Sequence, residues 1–389
     1  MSDARLKPRR PERARHPWIF AGEIAALPDA AENGDVVRVL DQRGRFFAMA
    51  YLNRASKITL RVVSWHDEPV DDRFWRSRVQ AAIELRGALA PDAGRRIVNS
   101  EGDGLSGLIV DSYAGWLVVQ LSTLGIERAR EPIVGALLEF LSPHGIYERS
   151  DVPERSLEGL EPRTGVLAGA TPPELVEIGE GPARLLVDIV HGQKTGLFLD
   201  QRLNRQAAAQ YAAGRRVLNC FGYSGGFGVH ASLAGASEVI NVDISAEACR
   251  LAERNFALNH SLNTSVVEAN CFDWLRNAAD AEEKFGMIVL DPPAFARGRS
   301  ALEGAIRGYK EINLRALKLL EPGGVLVTCS CSRPVTRELF AKMLRDAAND
   351  ARRDVQILEE RGQPPDHPVL IAAPETAYLK CVIARTPVE

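Results

Sequence analysis

VLNCFGYSGGFGVHA, residues 217–231, sets an apolar run of strand composition before Gly222, Gly225, Gly226 and Gly228, and follows them with a helix-forming segment. A glycine-rich strand-to-helix turn lets backbone approach a ligand and aims helix N–H groups at it. Nicotinamide, flavin and S-adenosylmethionine enzymes all use such turns, so the loop points to a fold before it points to a cofactor. Around it, from about residue 181, strand-like runs alternate with helical ones. The strands are VLNCFGY, EVINVDI, SVVEAN, GMIVLDPP, GVLVTCS and YLKCVIA. The helices are QRLNRQAAAQYAA, FGVHASLAG, AEACRLAERNFALN, INLRALKLL and RELFAKMLRDAAND. That alternation predicts an α/β domain, a doubly wound and mainly parallel sheet covered on both faces.

What ends each strand selects the cofactor. The strand after the loop ends in Asp243-Ile244, where an acid accepts from both ribose hydroxyls. The next ends at Asn270-Cys271-Phe272-Asp273, where an amide or acid meets an adenine amino group. The fourth ends in Asp291-Pro292-Pro293. A nicotinamide dehydrogenase has no need of Asp-Pro-Pro there, whereas rigid prolines would wall a transferable methyl group. The series in strand order predicts a class I S-adenosylmethionine methyltransferase. Its candidate cofactor residues are Asn219, Phe221, Tyr223, Ser224, Gly225 and Gly226 in the loop, then Asp243, Ile244, Asn270, Cys271, Asp273, Asp291 and Pro292.

The 389 residues are too many for one ordinary core, so two or three domains are expected. Residues 34–65 read as short strands divided by Gly44 and by a turn at Asn53–Ser56, a small β-barrel. Residues 71–180 read as an α+β unit: a helix at 71–89, a hairpin turning at Ser112–Gly115 and a second helix with Pro132 in its first turn. A further hairpin is expected over 184–200, turning at His191–Thr195. Net charge is −3, yet residues 1–65 carry twelve Lys and Arg against seven Asp and Glu. A basic end on a mildly acidic chain suggests a polyanion-binding module, with Arg9, Arg10 and Arg15 as candidate contacts. No run of eighteen apolar residues predicts a membrane span, and the N-terminus has no apolar signal region. A cytoplasmic location is expected.

Residues 327–336, VTCSCSRPVT, put Cys329 and Cys331 at the end of a strand that Pro334 soon forbids from continuing. The six cysteines are dispersed, and i, i+2 is neither zinc nor redox spacing, so no metal is expected. This strand follows the Asp-Pro-Pro strand, so a thiol here lies near Asp291. Carbon 5 of a pyrimidine is too poor a nucleophile to take a methyl from a sulfonium. Thiolate addition at carbon 6 makes it nucleophilic, which is covalent catalysis. Cys329, next to the strand interior, reads as a small buried hydrophobe; Cys331, nearer the end, reads as the nucleophile.

Here the chain resembles the bacterial 23S ribosomal RNA 5-methylcytosine methyltransferases of the RlmI type, along essentially its whole length. RHPWIF (15–20), EGDGLSGLIVD (101–111), YERSDV (147–152), LLVDIVHGQKTGLFLDQR (185–202), the glycine loop, DPPAF (291–295), RGYKEIN (307–313), SCS (330–332), DHPV (366–369) and PETAYLK (374–380) carry the resemblance. It implies a PUA-like RNA-binding domain at 1–70, a central α+β domain at 71–180 and a Rossmann-like methyltransferase domain at 181–389. It implies S-adenosyl-L-methionine as cofactor, ribosomal RNA as partner and no membrane, with a homodimer open. The family cysteine falls on Cys331. Phe198, Asp200 and Gln201 are implied to touch the cofactor, with Asp200 expected to cap the following helix, and His367 and Glu375 to belong to the substrate site. Ala294 departs from the commoner DPPKF. Phe295 could stack on a base or pack in the core. Asp291 would orient the base and act with Cys331 in catalysis. A 5-methyluracil product by the same cysteine, and amine methylation of guanine or adenine at Asp-Pro-Pro, remain alternatives.

Overall fold

The computed structural model describes every residue except 1, 2, 10–12, 14, 89, 297 and 389; of residue 299 it describes the backbone alone. Two compact units result: residues 1–178, 187–199 and 365–376 form the first, and residues 179–186, 200–364 and 377–389 the second.

In the first unit, β1 (Asp3–Leu6), β2 (Trp18–Ile19), β3 (Ile24–Ala26), β4 (Val36–Leu40), β5 (Phe46–Leu52) and β6 (Leu60–Ser64) form one sheet ordered β2-β6-β5-β4-β1-β3. Alternation puts Val37, Val39, Ala48, Ala50, Leu52, Leu60 and Val62 into its core. Helix α1 (Asp72–Arg86) starts where the Asp71 carboxylate accepts from Phe74 N at 3.0 Å. There follow β7 (Gly94–Asn99), β8 (Leu108–Tyr113), β9 (Trp116–Leu121), α2 (Leu124–Arg128), α3 (Arg130–Leu141), β10 (Gly145–Ser150), α4 (Pro153–Ser156) and β11 (Arg163–Gly169). The five strands make a sheet ordered β11-β10-β9-β8-β7, against which α1 and α3 bury Trp75, Val79, Ile133 and Leu137.

The hairpin expected over 184–200 is not there. Strands β12 (Val176–Glu180) and β13 (Ala183–Val187) pair one strand earlier, and the turn takes Gly181 at φ +60°. Residues 188–199 carry other bonds. The Asp188 carboxylate accepts from Val190 N and His191 N, Arg149 donates to the Gly192 carbonyl, and the Thr195 hydroxyl donates to Asp111 at 2.7 Å.

The second unit holds α5 (Arg202–Ala209), β14 (Arg216–Cys220), α6 (Gly226–Leu233), β15 (Glu238–Asp243), α7 (Ala246–Leu258), β16 (Thr264–Glu268), α8 (Cys271–Asp280), β17 (Phe285–Leu290), α9 (Leu302–Leu319), β18 (Leu320–Ser330), α10 (Arg337–Ala351), β19 (Gln356–Arg361) and β20 (Lys380–Arg385). The sheet runs β16-β15-β14-β17-β18-β20-β19; the first five strands are parallel, and β20 enters antiparallel between β18 and β19. The chain leaves β14 to one side and returns to its other side at β17. That reversal between β14 and β17 is where ligands sit in such sheets, beyond the carboxyl ends. Strand β17 is buried at all six positions, as an interior parallel strand must be.

Helix α8 and strand β19 were not expected from sequence. Nor does Asp200 cap α5: Gln201 is the cap residue, without a side-chain bond, and Asp200 accepts from the Tyr378 hydroxyl at 2.7 Å. Beneath the glycine loop, Arg205 of α5 makes two 2.6 Å bonds to Glu180, and His230 of α6 lies 2.9 Å from the same carboxylate, all three side chains buried. Among the described residues, no helix is long and apolar enough to cross a membrane.

Candidate active site

Strand β14 ends at Cys220, and the chain then twists through Phe221 (φ +58°), Tyr223 (φ +45°) and Gly225 (φ +81°). Left-handed non-glycine residues are uncommon and gather at functional turns. Gly222 must lack a side chain, because a Cβ there would lie 2.1 Å from Asn241 Oδ1. That oxygen accepts from Asn219 Nδ2 at 2.7 Å, so Asn219 braces the loop from below. The Asn255 amide holds the Ser224 carbonyl at 2.9 Å. The loop therefore delivers Ser224, Gly225 and Gly226 to the start of α6.

Asp243, at the end of β15, accepts from Tyr223 N at 2.8 Å and from Ser245 N at 3.0 Å, which fixes its carboxylate beside the loop. A carboxylate has about four lone-pair sites, so two bonds leave capacity for hydroxyl donors. Ile244 beside it is exposed. Asn270 caps α8 by accepting from Phe272 N at 2.9 Å, and Asp273 is exposed, 3.2 Å from Arg276. The buried Cys271 sulfur accepts from Phe221 N at 3.1 Å, which ties the loop to α8.

Strand β17 hands over to Asp291-Pro292 directly beside this loop. Gln201 Nε2 donates to Asp291 Oδ1 at 2.8 Å, and Asn204 holds Gln201 Oε1 at 2.6 Å. Phe295 is half-buried among Phe221, Phe272 and Tyr309, with the Tyr309 ring 4.6 Å away centre to centre.

The neighbouring β18 pairs Leu290 with Thr328. Cys329 is fully buried and opposite Cys381. Burial, then Cys381 and the Asp291 charge, push its thiol well above the ordinary range. Cys331, the first residue past the strand, is half-buried. The backbone around it is clamped. The Ser332 hydroxyl meets the Tyr309 hydroxyl at 2.9 Å and accepts from Ala296 N at 3.2 Å, binding the SCS turn to the DPPAF loop. Lys380 Nζ donates to the Ser332 carbonyl at 2.8 Å. Burial lowers this ammonium to about 8; the Cys331 sulfur acts the other way and Arg337 adds to the lowering. The sequence reading missed Gln201 as the partner of Asp291, and it missed Lys380. The signal for the latter was a lysine in YLKCVIA, an otherwise apolar strand.

The remaining candidates belong to the first unit. Phe198 is half-buried with Lys194 4.5 Å over its ring. His367 is buried with Nδ1 3.1 Å from Asp366, and Glu375 lies 3.3 Å from His16. Arg9 is nearly buried: it lies 3.5 Å from Glu23, donates to the His16 carbonyl and sits over the Phe47 ring. Arg15 is exposed, 4.6 Å over Trp65. Arg10 lies outside the described residues.

A family model described as S-adenosylmethionine-dependent methyltransferase matches residues 163–385, and one for a PUA-like domain matches residues 5–65. The chain is 46% identical over 377 residues to the ribosomal RNA large subunit methyltransferase I of Aeromonas salmonicida, with 95% of each chain covered. It is 47% identical over 378 residues to that of Aeromonas hydrophila, with the same coverage. A methyltransferase structure solved with S-adenosylhomocysteine superposes at TM-score 0.86 and 22% identity, covering 99% of this chain and 100% of that one. At that identity the likeness is one of fold.

Proposed function

The chain belongs to the ribosomal RNA large subunit methyltransferase I family, and from that premise we propose that it methylates carbon 5 of a cytosine in 23S ribosomal RNA through a covalent bond from Cys331. The observation that carries the chemistry is the half-buried Cys331, first residue past β18, next to β17, which Asp291 follows, and beside the reversal between β14 and β17. A buried Cys329 with a raised thiol supports giving the role to Cys331.

The residues present fit the cofactor. The strained glycine loop opens onto a helix N-terminus, Asp243 keeps acceptor capacity for ribose hydroxyls, and exposed Ile244 offers an apolar face to an adenine ring. When bound, S-adenosylmethionine supplies an electrophilic methyl group. Asp291, held by Gln201, accepts from the cytosine amine or ring nitrogen and turns carbon 6 toward Cys331. The thiolate bonds to carbon 6, and the electron pair reaches carbon 5, which takes the methyl. Loss of the carbon 5 proton to a base then lets Cys331 depart as thiolate and restores the ring. Residues 1–70 bind RNA, 71–180 form the central domain, and 181–389 carry the chemistry, which we assign to the cytoplasm.

The test is to react the protein with labelled S-adenosylmethionine and ribosomal RNA from a strain lacking it, then identify the nucleoside by mass spectrometry. 5-Methylcytidine is expected. 5-Methyluridine keeps the cysteine chemistry but overturns the base. A methylated guanine or adenine amine overturns both.

Two further results are expected. Asp243→Ala should weaken binding of the cofactor by about 1–3 kcal/mol, or roughly 5- to 150-fold by calorimetry; unchanged binding removes Asp243 from the site. Arg15→Ala should lower the salt dependence of RNA affinity by roughly 0.7–0.9 in slope, the loss of one phosphate contact. Arg9→Ala, whose guanidinium is spent inside the domain, should leave the slope unchanged.

A further inference from the structure

We propose that Lys380 is the positioning residue that holds the Cys331 sulfur as a thiolate, ready for attack. The proposal rests on the role given to Cys331 above.

Lys380 opens β20 and pairs in register with Ser330, the last residue of β18. Its side chain is buried. Nζ donates to the carbonyls of Ser332 and Tyr378, each at 2.8 Å. Of the three donors an ammonium carries, two are thus spent on backbone on either side of the sulfur-bearing turn. A buried cation needs an anion, because desolvation alone makes it expensive. Among the described residues, the charges that act on Lys380 are the Cys331 sulfur, which favours the ammonium, and Arg337, which opposes it. Arg337, at the start of α10, repels it. Tyr309 of α9 meets Ser332, and burial raises its hydroxyl, so it stays neutral. Asp291, past β17, acts on Cys329. Cys381 faces Cys329 across the sheet. The thiolate of Cys331 is therefore the counter-charge that this lysine has.

The proton balance is simple. The thiol releases its proton to water, and the thiolate that remains pairs with the ammonium without a bond forming. When sulfur adds to carbon 6, its charge passes into the pyrimidine and Lys380 keeps its proton. When the carbon–sulfur bond breaks, the departing thiolate finds the same ammonium waiting. Both halves of the reaction use one fixed charge.

The test reads the sulfur directly, with neither RNA nor cofactor. The full-length protein is alkylated with iodoacetamide across pH, and the Cys331 peptide is quantified by mass spectrometry. Wild type should reach half-maximal rate below the ordinary thiol value of about 8.5. Lys380→Met should raise that midpoint by about one unit and slow alkylation at pH 7 about tenfold. Lys380→Arg, which keeps the charge, should restore most of the rate. Superimposable profiles for wild type and Lys380→Met would overturn the proposal. Should Lys380→Met fail to fold, linkage supplies the reciprocal measurement. In carbon-13 lysine-labelled protein, Cys331→Ala should lower the titration midpoint of Lys380, and an unmoved midpoint overturns the proposal equally. If Cys331 and Lys380 respond as expected and Cys331→Ala still methylates RNA, the charge pair stands and the nucleophile assignment is what fails.

Discussion

Cys331→Ala should fold, bind its cofactor and lose methyl transfer by a factor on the order of ten thousand or more, as expected when a covalent nucleophile is removed. In the proposed mechanism Cys331 alone supplies the bond to carbon 6. Cys329 is fully buried against Cys381, and burial favours its neutral thiol. Cys329→Ala should therefore cost packing, about 1 kcal/mol, and retain activity. RNA bearing 5-fluorocytosine has no carbon 5 proton to release. It should trap wild type and Cys329→Ala as complexes that survive denaturant, and leave Cys331→Ala free. Near wild-type turnover by Cys331→Ala would move the chemistry to amine methylation at Asp291-Pro292.

Glu180→Gln should destabilise the protein by about 3–5 kcal/mol, since it takes from the buried Arg205 guanidinium the carboxylate that bonds it twice and leaves it only the charges of Asp200 and Asp291. Both Arg205 bonds are 2.6 Å, and His230 stands 2.9 Å away. Although burial works against it, Arg205 and His230 hold the Glu180 carboxyl down to about 2. An unfolded glutamate titrates near about 4.3. The stabilisation is then complete above that value and fades as pH falls from about 4 toward 2. Urea unfolding of wild type and variant should converge over that interval. A difference under about 1 kcal/mol at pH 7 would show that the pair only offsets its own desolvation.

The α/β unit was legible because its signals are local. Apolar runs such as FGMIVL mark buried parallel strands, and the glycine loop with Asp243 and Asp-Pro-Pro marks strand ends. That Cys329 is buried while Cys331 is half-exposed was legible from distance along a strand. What escaped depends on partners far away in the chain. LLVDIVHGQKTGLFLD alternates like a hairpin, yet Arg149 and Asp111 take its polar groups, so β13 pairs backward with β12. Asp200 looks like a cap but meets Tyr378, 178 positions on. Gln201 finds Asp291 and Lys380 finds the SCS turn across 90 and 48 positions. No periodicity encodes such meetings. Strand β19 was missed because it is an edge strand, with residues such as Glu359 and Glu360 in place of an apolar run.

The insertion of β20 between β18 and β19 bears on how the protein is made. Synthesis delivers β14 through β19 first, and the strand that joins two of them comes after all six. Until it arrives, β18 and β19 each present a naked row of amides and carbonyls, the surface on which strands of other chains add. A nascent chain halted before residue 380 is therefore an aggregation hazard. The same late strand brings Lys380 to the Ser332 carbonyl, so the turn that carries Cys331 is clamped only when the sheet closes.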